Sequence, residues 1–453
     1  MWSIKHVLRL PLAISALFLC MFSAVADQPV EKKSAILIKN ARVFTGESDK
    51  LLEGMSVLIQ ENKIRSISPS VTAPTDAIVI DANNRVLMPG LIDVHWHTML
   101  NFWPISKIMS SSFGALNIAA AKHAEEQLMR GFTSVRDVGG NVFGVKAAID
   151  DGIVKGPRIY PSGPYISQTA GHGDFRGPND VPSNPGAPLD YQQRIGNTLI
   201  ADGEAQVIRR SREALRMGAT QIKVMAGGGV TSTYDPLDVS QYLPPEMEAI
   251  VGVAQSWNTY VAIHANTDEA IREWLQAGAL SVEHAFFMEE ETAKMMAEKG
   301  AWWSMQPLDL HGEDAFQFET DLATQKYQKV VAGLEKAVKL AKKHKVKTAF
   351  GTDLLFDPAL AAREGKFLTK LQKWYTPYEA LRMATHDNAE LLKLCGPRDP
   401  YPGALGVVKE GALADLILVD GNPLENLDLV ADPECHFLVI IKDGQLYKNT
   451  VTD

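Results

Sequence analysis

The chain has 453 residues, of which 46% are hydrophobic and 22% are charged, and its formal net charge is −9. An acidic balance without a block of Lys or Arg gives no basis for a nucleic-acid-binding surface, so we expect no nucleic-acid partner. The length is too great for one small core, and we expect one large domain with a smaller companion.

The first 26 residues differ in character from the rest of the chain. A basic start with Lys5 and Arg9 precedes a nearly unbroken apolar run over residues 10–22, and Ala24-Val25-Ala26 follows it. This order is typical of a secretory signal peptide, so we predict that residues 1–26 are removed and that the protein is exported, either to a periplasm or to the medium. The alternative is an N-terminal membrane anchor. The run falls short of the about 20 residues that span a bilayer, and we expect no stable membrane insertion.

Residues 27–88 contain short strand-like runs that are separated by Gly, Asn and Asp. Such spacing predicts part of a small β-sandwich. Residues 401–453 return to the same pattern and are predicted to complete that sandwich. The smaller domain is then discontinuous and is formed by both chain ends.

Between these ends, residues 89–400 alternate between strand-like and helical segments. Eight strand–helix alternations over about 300 residues predict an α/β domain, a (β/α)8 TIM barrel. The predicted strands are Leu91–His97, Thr133–Asp137, Arg158–Ser162, Gln221–Met225, Tyr260–His264, Ser281–His284, Ala301–Met305 and Lys347–Asp353. The clearest predicted helices are Leu116–Arg130, Pro245–Trp257, Asp268–Ala277 and Tyr327–His344.

His95 and His97 lie two residues apart at the end of the first predicted barrel strand. Side chains alternate faces along a strand, so both imidazoles point into the barrel and Trp96 points away. The carboxyl end of the strands is where barrel active sites lie, and two adjacent imidazoles suit a divalent metal. Two hydrogen-bonded core histidines are an equally acceptable explanation of this motif alone.

Four further polar residues stand where an apolar strand meets its outgoing loop. Lys223 follows Gln-Ile, His264 follows Val-Ala-Ile, His284 follows Ser-Val-Glu, and Asp353 follows Phe-Gly-Thr. A lysine among apolar strand residues is costly unless its charge is removed or paired. Six metal-capable groups on five strand ends are hard to explain as packing, and they favour a metal centre.

This order of ligands resembles the amidohydrolase superfamily. The resemblance extends over nearly the whole predicted mature chain, and two segments are especially specific: Val86-Leu-Met-Pro-Gly-Leu-Ile-Asp-Val-His-Trp-His and Leu405-Gly-Val-Val-Lys-Glu-Gly-Ala-Leu-Ala-Asp-Leu-Ile-Leu. Within the superfamily the chain is similar to the imidazolonepropionase-related branch. That branch includes bacterial prolidases and other hydrolases of dipeptides or N-acyl amino acids.

The resemblance implies a metal-dependent hydrolase with two divalent ions. His95, His97 and Asp353 would hold the more buried ion, and His264 and His284 the more exposed one. Lys223 would carry a carbamate derived from carbon dioxide and would bridge both ions. The resemblance further implies a bridging hydroxide as nucleophile. Asp353 would move its proton to the leaving nitrogen.

Zinc is the expected metal, and these ligand types also accept manganese, cobalt or iron. The substrate implied by the resemblance is a small molecule with a free carboxylate, cleaved at a C–N bond. A lactone, a carbamate or a phosphotriester would suit the same chemistry. A non-catalytic interaction protein is the remaining alternative, although all six ligand positions are present.

Two loops are candidates for substrate binding. His172 stands between two glycines after the third predicted strand, and in the prolidase-like relatives a histidine in such a loop helps to bind the substrate carboxylate. A loop-stabilising histidine bonded to Asp174 is the alternative. Tyr234 follows the glycine-rich run after Lys223 and would bind a carboxylate or cap the pocket, unless it is an ordinary loop residue. We interpret those glycines as clearance for the substrate.

Two cysteines, Cys395 and Cys435, remain in the predicted mature chain. An exported protein could pair them, and two free thiols are an equally good expectation. Homo-oligomers are common in the resembled family, so assembly of identical chains is also possible.

Overall fold

The computed structural model describes residues 35–180 and 186–451. The predicted signal peptide lies outside these residues. In chain order the strands of the described part are β1 Ile36–Val43, β2 Leu52–Gln60, β3 Lys63–Ser68, β4 Ile78–Asp81, β5 Val86–Pro89, β6 Leu91–Trp96, β7 Phe132–Asp137, β8 Arg158–Pro161, β9 Tyr165–Ser167, β10 Thr198–Ile200, β11 Ile222–Met225, β12 Val261–Thr267, β13 Ser281–Phe287, β14 Trp302–Met305, β15 Lys347–Phe350, β16 Leu416–Val419, β17 Phe437–Lys442 and β18 Gln445–Asn449.

The helices lie mainly between the strands from β6 onward. They are α1 Ile105–Ser110, α2 Phe113–Met129, α3 Phe143–Asp150, α4 Tyr191–Ile195, α5 Glu204–Arg216, α6 Pro244–Ser256, α7 Asp268–Ala277, α8 Glu290–Lys299, α9 Asp321–His344, α10 Pro358–Ala361, α11 Glu364–Thr369, α12 Pro377–Arg382, α13 Asn388–Leu392 and α14 Pro433–His436. Short 3-10 turns cover Lys370–Lys373, Lys393–Arg398 and Leu427–Ala431, and a π turn covers Met383–Asp387.

Both chain ends contribute to one hydrogen-bonded sheet. Its strands follow the order β18-β17-β16-β5-β1-β2-β3, and β4 pairs with β1. The antiparallel pairing of β5 with β16 joins the N-terminal strands to the C-terminal ones. At the far edge, Ile64 of β3 donates its N–H to the carbonyl of Ala412, so the sheet curls around its own apolar core. The two predicted halves therefore share one continuous sheet.

The barrel strands are all parallel and form two hydrogen-bonded sets. One set has the order β6-β7-β8, and the other has the order β10-β9-β11-β12-β13-β14-β15. At one junction, the N–H of Asp353 donates to the carbonyl of His95 at 2.8 Å. At the other, the N–H of Thr220 donates to the carbonyl of Pro161 at 2.7 Å. These bonds connect β15 with β6 and β8 with β11, so the carboxyl ends of all the strands open at one face.

Helix α9 shows how the sequence sets an element that lies beside the cavity described below. Thr320 caps its start by accepting the N–H of Ala323, and Lys342, Lys343 and His344 lie in its last turn. Capping by a threonine oxygen and cations near the C-terminus both stabilise a helix. The buried stripe of α9 faces β13 and fixes the helix against the barrel.

The predicted TIM-barrel class with a small domain from both chain ends is confirmed, and the eight predicted strands correspond to β6, β7, β8, β11, β12, β13, β14 and β15. Strands β12 and β13 continue three residues beyond His264 and His284, which we had expected to end them. The three-residue strands β9 and β10 were not predicted. In the described residues no helix is long and apolar enough to cross a membrane. Cys395 is buried, Cys435 is exposed, and both are free thiols.

Candidate metal centre

Six predicted ligands line one cavity at the carboxyl ends of the barrel strands. His95 lies on β6, Lys223 on β11, His264 on β12 and His284 on β13. His97 follows β6 directly, and Asp353 lies three residues after β15. The structure therefore brings together all six residues that the sequence pattern selected.

The carboxylate of Asp353 lies at the centre of the imidazoles. Its Oδ1 is 3.2 Å from Nε2 of both His95 and His97, and its Oδ2 is 4.0 Å from Nε2 of His284. Candidate ligand atoms of His95, His284 and Asp353 all lie within 4.8 Å of one another. The rings of His264 and His284 meet edge to face with their centroids 4.4 Å apart. These distances place several donor atoms around one small volume.

Each imidazole uses one ring nitrogen for a bond to the protein. Nδ1 of His95 lies 2.9 Å from Glu283, and Nδ1 of His284 lies 2.9 Å from the Gln306 side chain. Nδ1 of His97 is 3.4 Å from the carbonyl of Gly139, and Nε2 of His264 is 3.2 Å from the carbonyl of Gly228. Metal-binding histidines characteristically anchor the second nitrogen in this way, which fixes the tautomer and the ring orientation.

The ionisation states also suit a metal. Desolvation by burial lowers the pKa of His97, lowers that of His264 further, and lowers that of His284 to about 3. These three rings are therefore neutral near pH 7, as imidazole ligands must be. Desolvation also lowers the pKa of Lys223 to about 8, so a fraction of this amine is uncharged near neutrality. The residues present fit a divalent-metal site.

A buried ion pair supports His95 from behind. Glu283 accepts hydrogen bonds from the Arg136 guanidinium at 2.7 and 2.8 Å, and the same carboxylate faces His95. Burial alone would raise the pKa of Glu283, but the Arg136 charge and the bond to His95 hold that pKa well below its ordinary value. Glu283 is therefore an anion, and it orients His95.

Strained backbone also occurs at the candidate ligands. His284, Ala285 and Asp353 have φ values of 77°, 51° and 55°, in the left-handed region that non-glycine residues rarely adopt. In a regular strand, Glu283 and His284 would point to opposite faces. The turn at His284 breaks that alternation, so both side chains reach the interior. Such strain persists where the surrounding structure determines it, and it is typical of functional sites.

His172 lies beside the predicted ligands. Its ring stacks on that of His264 with centroids 4.2 Å apart, and its Nδ1 is 2.6 Å from Oγ of Ser232 and 3.3 Å from Asp235. The alternative partner, Asp174, instead accepts hydrogen bonds from Arg176. His172 thus lies in the cavity wall, with Nε2 as the ring nitrogen that can face a substrate.

The glycines after Lys223 leave room for neighbouring atoms of the protein. A Cβ on Gly229 would lie 1.9 Å from the His172 ring, and a Cβ on Gly228 would lie 1.7 Å from the carbonyl oxygen of Pro236. The glycines therefore give clearance to His172 and to the loop's own backbone, and clearance for a substrate stays a prediction. Tyr234 is 54% exposed and does not belong to the cavity lining.

The remainder of the cavity is strongly apolar. The cavity has a volume of about 450 Å³, and Phe316, Phe318 and Tyr327 form one of its sides. These three rings, which we call the aromatic wall, contact one another with centroids 5.2–6.3 Å apart. Among the described residues of the lining there is no arginine.

Comparisons with known proteins identify the family. The profile of the amidohydrolase family matches residues 86–447. The chain belongs to the amidohydrolase family. This amidohydrolase is 34% identical to an ochratoxinase of Aspergillus niger over 372 residues, which cover 80% of this chain and 76% of that protein.

Solved structures agree with this assignment. An amidohydrolase crystal structure has a TM-score of 0.84 at 33% identity, and a prolidase crystallised with N-methylphosphonate-L-proline has a TM-score of 0.83 at 32% identity. In both comparisons the match covers 92% of this chain and 100% of the other. The fold and the hydrolase family are therefore shared along nearly the whole chain.

Sequence reasoning missed several residues that support the amidohydrolase centre. Arg136 binds Glu283, and Asp137 accepts the N–H of Thr98 at 2.7 Å. Asp93 accepts the N–H of His95 and the hydroxyl of Thr352, which ties β6 to the loop of Asp353. The sequence offered one signal for such residues, a charged residue within a strand-like segment, such as Glu283 in β13.

Proposed function

We propose that this amidohydrolase hydrolyses amide or peptide C–N bonds in dipeptides or N-acyl amino acids. The observation that carries the proposal is the convergence of four imidazoles, a carboxylate and a lysine in one cavity, with a second bond anchoring each imidazole. The similarity to a prolidase supports the C–N class, because that protein was crystallised with a phosphonate derivative of proline.

Two divalent cations would be held by His95, His97, Lys223, His264, His284 and Asp353, with zinc as the first candidate and manganese, cobalt or iron as alternatives. When bound, such cations lower the pKa of water and polarise a carbonyl. The lowered pKa of Lys223 favours its carboxylation, because only the uncharged amine attacks carbon dioxide. The carbamate would be an anion, which removes the cost of a buried ammonium.

Asp353 is proposed as the proton carrier. Its carboxylate lies at the centre of the site, and it is partly exposed to the cavity, with 24% of the side chain accessible. Burial alone would raise the pKa of Asp353, but the neighbouring histidines hold it well below the ordinary value. The ionised Oδ2 can therefore take a proton from the attacking water and deliver it to the leaving nitrogen.

The cavity walls suggest which substrate groups lie where. His172 can donate Nε2–H to a substrate carboxylate next to the centre. The aromatic wall offers apolar surface to an acyl group or a side chain, since aromatic rings contribute most to binding when they bury apolar area. We therefore propose a preference for substrates that combine a carboxylate with a bulky apolar group.

A substrate panel tests the function. The protein should be loaded with zinc and bicarbonate and assayed on Xaa-Pro dipeptides, Xaa-Lys and Xaa-Arg dipeptides, N-acyl amino acids, lactones, carbamates and a phosphotriester. We expect the highest kcat/KM for an N-acyl amino acid or dipeptide with an aromatic group. Absence of turnover for every carboxylate-bearing amide would contradict the proposal. Turnover of lactones, carbamates or the phosphotriester alone would favour those reactions at the same centre.

We also propose that the protein is exported and that residues 1–26 are removed. The support is the order of basic, apolar and small residues at the N-terminus. Mass spectrometry of protein recovered from its native host would find Asp27 as the first residue. Recovery of chains that retain residues 1–26 in the membrane fraction would favour the anchor instead.

A further inference from the structure

Lys326 on α9 is a buried lysine with no place in the mechanism above. Its side chain is directed at the loop of residues 229–235, and the residue is only 7% exposed. Its Nζ donates to the carbonyls of Gly229 at 2.9 Å, Ser232 at 2.8 Å and Asp235 at 2.8 Å. An ammonium group has three N–H donors, and here each one has a backbone acceptor.

The loop that Lys326 holds is the one that contacts His172. Ser232 Oγ lies 2.6 Å from Nδ1 of His172, and the Asp235 carboxylate lies 3.3 Å from the same nitrogen. Asp235 also accepts the N–H of Gly229 at 2.8 Å, which closes the loop on itself. Two of the three residues bound by Lys326 are therefore the partners of His172.

The segment has no regular secondary structure of its own. Residues 228–237 lie outside helices and strands. Three carbonyl oxygens that converge on one point repel one another unless a cation lies between them. Ordering such a loop costs conformational entropy, and the three charge-assisted hydrogen bonds offset that cost.

We propose that Lys326 is a positioning residue that holds loop 229–235 in the conformation in which Ser232 and Asp235 orient the His172 ring toward the substrate. The proposal rests on the substrate-binding role proposed for His172. It assigns Lys326 to substrate binding rather than to the metal centre, because the side chains of two of the three residues it binds, Ser232 and Asp235, contact His172. The carbonyl that contacts His264 belongs to Gly228, which is not an acceptor of Lys326.

The experiment compares Lys326→Met with Lys329→Met in the metal-loaded mature chain. Lys329 lies on the same helix and is exposed, so its substitution removes an equal charge without touching the loop. For the best amide substrate we expect Lys326→Met to raise KM about tenfold, equivalent to ~1.4 kcal/mol, with kcat changed much less. Metal content should stay at the wild-type value, and Lys329→Met should match wild type throughout.

A double variant decides whether Lys326 acts through His172. In the His172→Ala background, adding Lys326→Met should change KM by less than about twofold, because residues that act through one group are not additive. Ser232→Ala, which leaves Lys326 in place, should raise KM about threefold and keeps the test available if Lys326→Met folds poorly. The proposal would be overturned if Lys326→Met raised KM about tenfold in the His172→Ala background as well. It would also be overturned if Lys326→Met and Ser232→Ala each left KM unchanged.

Hydrogen–deuterium exchange separates this proposal from the proposed function. Peptides that cover residues 226–236 should exchange at least about tenfold faster in Lys326→Met than in Lys329→Met, since opening frees the Gly229 amide. If wild type turns over no amide, the proposed function fails, and the exchange result alone decides the loop proposal. Equal exchange in the two variants would overturn it.

Discussion

The two sides of the cavity are held by different forces. On one side, His95, His264 and Asp353 lie on or next to barrel strands, and each imidazole is anchored by a bond to a second polar group. On the other side, Phe316 and Phe318 lie in the irregular segment before α9, and their rings are stacked with an interplanar angle of 17°. A fully satisfied polar network holds its groups in one arrangement, whereas apolar packing tolerates changes of shape.

We expect the polar side of the cavity to determine catalysis and the aromatic wall to determine which substrates bind. Loss of a group on the polar side leaves another buried polar group without its partner, which is costly for both stability and catalysis. Loss of a ring in the aromatic wall removes apolar contact area and leaves the centre intact. We therefore expect substitutions of the metal-centre residues to abolish turnover of all substrates. Substitutions in the aromatic wall should instead change which substrates are turned over.

The largest effect is expected for Asp353→Asn. An amide side chain keeps the shape and one ligand oxygen, but it cannot accept the proton, so kcat should fall about 10³-fold or more while metal content stays near the wild-type value. Steady-state kinetics with metal analysis on the same sample measures both. A kcat within tenfold of wild type would show that Asp353 is not the proton carrier.

Glu283→Gln is expected to act mainly on stability. The substitution leaves the Arg136 guanidinium buried without its counterion, and breaking a buried pair in this way costs about 3–5 kcal/mol. Urea unfolding measures the free energy of unfolding. Glu290→Gln, which removes one partner of the exposed Lys343 pair, is the matched control and should leave unfolding unchanged. Equal stability of the two variants would remove Glu283 from the support of the centre.

Lys223→Ala should lose at least one metal and about 10²-fold in kcat/KM. Short carboxylic acids added to the buffer should restore part of the activity, because their carboxylate can occupy the space of the missing carbamate. Activity titrations with acetate and propionate, alongside metal analysis, test this. Full activity of Lys223→Ala would rule out the carbamate assignment.

Phe318→Ala should separate substrates instead of abolishing turnover. We expect kcat/KM for an N-acyl amino acid with an aromatic acyl group to fall about tenfold, as for the loss of a buried aromatic contact. The acetyl analogue should change less than about twofold, and it serves as the control. A uniform loss for both substrates would mean that the aromatic wall supports the centre instead of selecting the substrate.

The smallest effect is expected for Tyr234→Phe. The side chain is half exposed and lies outside the cavity lining, so kcat and KM should stay within about twofold of wild type. The same substrate panel measures it. A clear increase of KM would restore the role that the sequence suggested for this tyrosine.

Functional residues at the ends of barrel strands were easier to predict from the sequence than those in irregular segments. His95, Lys223 and His264 could be located because apolar strands repeat at regular intervals and a barrel brings their ends to one face. Asp353 followed from the same rule, although it lies three residues past its strand. The double turn at His284 and Ala285 could not be predicted, because left-handed backbone at such residues is imposed by the tertiary structure.

Contacts between residues that are far apart in the sequence could not be predicted from sequence patterns. Lys326 is separated by 91 to 97 residues from the carbonyls it binds, and those acceptors are backbone atoms that no side-chain pattern reveals. The aromatic wall was missed for a related reason, because Phe316 and Phe318 lie in an irregular segment without periodicity. Tyr234 was selected for its position next to the glycines, but the loop turns it toward solvent.

Metal stoichiometry tests the central claim most directly. Protein purified after chelation should be inactive, and it should bind two zinc ions per chain when zinc and bicarbonate are restored, with activity returning as the second ion binds. The Lys223→Ala chain, treated in the same way, should bind fewer. A wild-type chain that binds no divalent metal under these conditions, or that hydrolyses its substrate fully after chelation, would contradict the account.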